Sequence, residues 1–130
     1  MSSVSDNNMG PVHDCTPQID EIVSQPHIKH AAIHSLHQKH HESTVHHFHD
    51  AHLHEHIANW KVLKYAEEIV EYGTNYFIKV NIGGDLCIHI RVHRQRHAPI
   101  YDFYSIHETI KHNEASCIWS NSEPLVYFNY

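Results

Sequence analysis

Between Gly73 and Val92 the chain alternates apolar with polar residues. Tyr76, Ile78, Val80 and Ile82 fall on one side, with Phe77, Lys79 and Asn81 on the other. A period of two is that of a strand with one buried face. Gly83-Gly84-Asp85 supplies a turn. After it Ile88, Ile90 and Val92 are expected to face inward, while Cys87, His89, Arg91 and His93 face out to solvent. Upstream, Trp60, Val62, Leu63 and Tyr65 lead to Ile69-Val70, and Glu71-Tyr72-Gly73 bends the chain back. Downstream, residues 94–99 form a second connection before a last strand region around 101–110.

The first half has helical spacing. Thr16-Pro17 is a start signal, because threonine caps and proline is tolerated at the first helical position. Ile19, Ile22 and Val23 then make a short apolar stripe, which Pro26 interrupts. Beyond it His27, His30, His34, His37 and His41 share one arc at about 100° per residue, with Ile28, Ala32, Ile33 and Leu36 opposite. A second amphipathic segment follows, kinked or broken from the first at the proline. The later histidines, His46, His47, His49, His52, His54 and His56, fit neither period, so 43–58 reads as a loop or loosely helical tract. Residues 1–15 are polar and read as a flexible arm; 111–130 read as a tail with aromatic content. A helix followed by an antiparallel meander is an α+β plan, with the helix across one sheet face.

Composition narrows the classes. A chain of 130 residues with 41% hydrophobic content suits one folded domain. Its formal charge of −6 gives no reason to expect nucleic acid or an anionic membrane as a partner. Protonating all 18 histidines would carry that charge to +12, so it depends strongly on pH. The start has no basic or apolar leader, and no run approaches the roughly 18 apolar residues of a membrane span. Cys15, Cys87 and Cys117 are odd in number and widely spaced, which suits a reducing compartment, here the cytoplasm. No phosphate loop, His-Glu-x-x-His or nucleophile elbow occurs, so an enzyme is not expected.

Thr16-Pro17-Gln18-Ile19-Asp20-Glu21-Ile22-Val23, Trp60-Lys61-Val62-Leu63-Lys64-Tyr65, Gly73 through Val80 and Ile88 through Val92, in that order, resemble the cystatins, and among them the disulfide-free stefins. The resemblance implies a cystatin-like α+β fold, with one long or broken helix on a four- to five-stranded antiparallel sheet. The domain would run over 16–119, with a histidine-rich insertion at about 27–56 and a tail at 120–130. It also implies reversible, competitive inhibition of papain-like cysteine proteases of the cathepsin type, by a monomer or a hairpin-exchanged dimer. In such proteins a glycine segment and two hairpin loops form a wedge. Here these would be Gly10, then Ile69, Val70, Glu71, Tyr72 and Gly73, then His97, Ala98 and Pro99. The family's first hairpin reads Gln-x-Val-x-Gly. Counting back from Gly73 puts Ile69 at the glutamine and Glu71 at the valine; one inserted residue instead aligns Glu68-Ile69-Val70 with Gln-Val-Val.

The run 27–56 holds 12 of the 18 histidines. Imidazoles one helical turn apart, His30/His34 and His37/His41, can share one ion, and imidazole suits zinc, copper and nickel. The plainer reading is a polar, solvated helix face. No cofactor is required for inhibition. The alternative function is therefore a cystatin-fold binding module that has lost inhibition and binds divalent metal, or senses pH, through this segment. Cys87, His89 and His93 are read as the solvated outer face of the sheet and not as a site.

Overall fold

A computed structural model describes residues 7–40, 50–111 and 114–128. Strand β1 (His13–Asp14) precedes helices α1 (Pro17–Val23), α2 (Pro26–Lys39) and α3 (Asp50–Ala58). Strands β2 (Lys61–Val70), β3 (Gly73–Gly83), β4 (Leu86–Gln95) and β5 (Tyr101–Ile106) follow, then a short pair, β6 (Thr109–Lys111) and β7 (Glu114–Ser116). Strands β1 to β5 form one antiparallel sheet in sequence order, and β6 and β7 pair separately. The α+β, cystatin-like plan is the one observed.

The helix starts follow the local signals. Thr16 Oγ1 accepts from Ile19 N at 3.3 Å, and Pro17 opens α1. Pro26 cannot donate to the preceding turn, so α1 stops and Pro26 becomes the first residue of α2. Ile19 and Val23 of α1, and Ile28, Ala32, Ile33 and Leu36 of α2, are buried against Ile78, Val80, Ile82, Ile88, Ile90 and Val92 of the sheet.

One expectation is narrowed and another corrected. The tract 43–58, read as a loop or loosely helical, is helical over Asp50–Ala58, while 43–49 lies outside the described residues. Leu53 and Ile57, four apart, pack on the main core and hold α3 there. Histidines alternating around them hid that spacing.

The outer sheet face is also not solvated. Residues 119–128 run across it as a strap. Phe77, Cys87 and His89 are fully buried and Lys79 and Arg91 nearly so; of the outward set, only Asn81 and His93 keep partial exposure. Phe77 packs with Leu125, Tyr127 and Phe128 in a second apolar cluster. Cys87 and Trp119 exchange backbone bonds of 2.7 and 2.8 Å. Lys79 Nζ donates to the carbonyls of Asn121, at 2.8 Å, and Glu123. Ring stacking closes the face: His89 lies 4.6 Å from Trp119, and His107 lies 4.6 Å from Trp119 and 4.4 Å from Phe128.

This burial has a consequence for pH. Burial pushes the His107 imidazole down to about 4. His56 is likewise pushed down to about 4, by burial first and by neighbouring His52 second. Below the ordinary histidine range the unfolded chain binds protons that these two sites refuse. Their contribution is thus fully present above pH ~6.5 and lost as pH falls toward about 4. Urea unfolding at pH 7.5 and pH 5 should differ by on the order of 1–2 kcal/mol per buried ring, after discounting for partial exposure. An unchanged midpoint would show that neither ring is held neutral.

Candidate functional site

The β2–β3 and β4–β5 connections lie at one end of the sheet, and the N-terminal segment runs toward that end along β2. Gly10 N donates to Glu67 O at 2.8 Å, and Met9 bridges to Glu68. Gly10 and Ile69 line one cleft of about 540 Å³ together with Pro11, His13, Tyr65 and Glu67.

Val70 pairs with Gly73, which leaves Glu71-Tyr72 as a two-residue turn. Both turn residues are exposed, Tyr72 to 65%, and Ile69 before them to 71%. Two large apolar side chains thus stand exposed at the end of this hairpin. The Tyr72 ring rests 5.4 Å from the His93 ring. Gly73 has φ +149° and sits against the Arg94 carbonyl, so the tip lies close on β4.

In the second connection Gln95 N donates to Ile100 O at 3.1 Å, which closes a loop carrying His97, Ala98 and Pro99. His97 and Pro99 are exposed and Ala98 is half-buried. Arg96 Nη1 donates to Glu71 O at 3.0 Å and ties the two hairpins together. Tyr72, Gln95, Arg96, His97 and Ala98 thereby enclose a shallow groove of about 390 Å³.

The residues singled out for a wedge are thus neighbours in space: Ile69, Val70, Glu71, Tyr72 and Gly73 touch the His97, Ala98 and Pro99 loop through Arg96, and Gly10 flanks Ile69. The residues proposed for metal are not brought together in this way. His30 and His34 are exposed on α2, His37 Nε2 turns to His56 Nδ1 at 2.9 Å, and His41 lies outside the described residues. Among the described residues no three histidine, cysteine or carboxylate side chains form a set able to hold a metal ion. His27 Nε2 instead meets Tyr101 O at 2.8 Å, and buried His40 accepts from Cys117 N at 2.9 Å, so part of the histidine run is structural.

Sequence reasoning missed Arg96 and a row of polar residues beneath the tip: Glu68, Asn75 and His93. Their signal was available in the turns. A two-residue turn at 71–72 sets Glu68 opposite Asn75, and the β3–β4 register sets Asn75 opposite His93.

No family model matches the chain. A stretch of 33 residues is 52% identical to cystatin-B of Mus musculus, covering 25% of this chain and 33% of that protein. The match spans about a third of the relative's length, and it supports a relationship to the cystatins. No described helix is long and apolar enough to cross a membrane.

Proposed function

We propose that this protein is a reversible, competitive inhibitor of papain-like cysteine proteases of the cathepsin type, acting as a monomer or hairpin-exchanged dimer in the cytoplasm. The observation that carries the reading is the bond from Arg96 to Glu71 O. It joins the two hairpins into one edge that displays Ile69 and Tyr72, with the Gly10 segment alongside.

The physics of such an inhibitor is that of a preformed plug. Loops already held by backbone and guanidinium bonds lose little freedom on docking, so more of the contact energy appears as affinity. The tip offers apolar side chains and backbone to a cleft and places no strained or activated peptide bond there. Glu71 is the feature that selects among targets. A carboxylate taken into an apolar cleft without a partner is strongly disfavoured, so the reading favours proteases with a cation or water beside the tip.

Titration of papain with the purified protein tests this. Competitive inhibition with a constant tighter than about 1 μM, corresponding to about 8 kcal/mol of binding, is expected. Inhibition weaker than that, unchanged by added zinc, overturns the proposal.

A further inference from the structure

We propose that Glu68, Asn75 and His93 form a positioning network that couples the N-terminal segment to the tip of the first hairpin; this rests on the inhibitor reading above. The three residues sit side by side on β2, β3 and β4. Glu68 is fully buried and Asn75 is 1% exposed.

The carboxylate of Glu68 serves two different segments. Oε2 accepts from Asn8 N at 3.3 Å, and Oε1 accepts from Asn75 Nδ2 at 3.1 Å. With its Nδ2 committed, Asn75 leaves Oδ1 to accept from His93 Nδ1 at 2.9 Å, which puts a proton on that nitrogen. The His93 ring supports Tyr72 on one side and Gly73 on the other, where Cε1 lies 2.9 Å from the position a Cβ would take. A continuous chain of contacts therefore runs from the backbone at Asn8 to the tip at Tyr72.

The chemistry of the first member is specific. A carboxylate has two acceptor oxygens and no donor, and here each oxygen meets one donor. Glutamine in its place would set an amide NH2 against either Asn8 N–H or Asn75 Nδ2. Burying a carboxylate is expensive, and among the described residues no salt bridge reaches Glu68. An interior with no task beyond packing is better served by an apolar side chain here. Backbone contacts at Met9 and Gly10 already lay the segment along β2, and the two-sided acceptor adds a link from Asn8 through Asn75 toward Tyr72.

The test is a double-mutant cycle on full-length protein. Asn8→Pro removes the backbone donor and leaves the core untouched, so it keeps the test sound if Glu68→Gln folds poorly. Each single variant is expected to weaken inhibition of papain about tenfold, chiefly through faster dissociation. The double variant is expected to be no weaker than the poorer single one, because both cut the same link. Amide hydrogen exchange on the free proteins gives a readout that loss of packing alone would not produce. Glu68→Gln should speed exchange at Met9 and Gly10 and shift the Tyr72 ring resonances, with the amides of Ile78, Val80 and Ile82 still protected. Additive losses in the cycle overturn the coupling. Lower global stability with unchanged exchange at Met9 and Gly10 also overturns it, leaving Glu68 with a packing role only. If the unsubstituted protein fails to inhibit, the inhibitor reading falls and with it the functional role; the exchange measurement still decides whether Glu68 holds the segment.

Discussion

Replacing Gly73 with alanine is expected to weaken inhibition of papain by at least about 100-fold. A Cβ at this position would lie 2.1 Å from the Arg94 carbonyl oxygen and within 3.0 Å of two His93 ring atoms. The carbonyl is backbone and cannot swing aside. Relief requires the end of β3 to part from β4, where Gly73 is paired with Gln95. The φ of +149° adds strain, since side chains of L-residues rarely adopt it. Strain and clash together come to roughly 3 kcal/mol or more, most of it felt at the tip. Gly84 is the control at the opposite end of the sheet. Its φ is +53° with nothing within 4 Å of a Cβ, so alanine there should cost about 1–2 kcal/mol of stability and leave inhibition alone. If Gly73→Ala inhibits as well as the unsubstituted protein, the hairpin tip is not the contacting element.

Truncating Phe128 to alanine is expected to destabilise the fold by about 3–4 kcal/mol. Only 1% of Phe128 is exposed, and its ring stacks on His107 at 4.4 Å and meets Phe77 edge-on at 5.4 Å. Phe77 projects from the centre of β3, so the cavity would open in the middle of the outer face and not at a frayed end. Thermal unfolding should drop by roughly 10–15 °C for a chain of this size. Val126, two residues earlier and 42% exposed, should tolerate alanine within about 0.5 kcal/mol. Equal melting temperatures for the two variants would mean that the strap does not pack on the sheet in solution.

The contrast between these two residues shows which parts of the molecule were legible from residue order. Gly73 announces itself: a glycine opening an apolar alternation, with Gly83-Gly84 at the far end of the same strand, marks both turns of a meander by local pattern alone. The wedge residues were singled out by the resemblance to the cystatins, and the meander accounts only for the two loops lying at one end of the sheet. The role of Phe128 could not be read. Phe77, Lys79, His89 and Arg91 look the same in sequence whether they meet water or a segment about 40 residues further on. Polar residues at alternate positions usually mean a wet face. Here the strap supplies carbonyls for Lys79 and flat rings for His89, so the same residues are buried.

The histidine run divides along similar lines. Its first half has apolar residues at helical spacing, and α2 follows from them. In its second half only Leu53 and Ile57 report the helix, too few to outweigh the histidines between them. Which imidazoles become structural depends on contacts across the fold, as His40 on Cys117 and His37 on His56 show.

Residue order by itself determined the four long strands, their turns and the break at Pro26, because each depends on periodicity and backbone stereochemistry within a few residues; β1 and β7, in stretches read as arm and tail, did not show. Tertiary structure alone decided that the sheet is covered on both faces, that Arg96 locks the hairpins together, and that Glu68 is shared between the N-terminal segment and the tip. Those outcomes depend on donors and acceptors far apart in the chain, and no local pattern specifies which will meet.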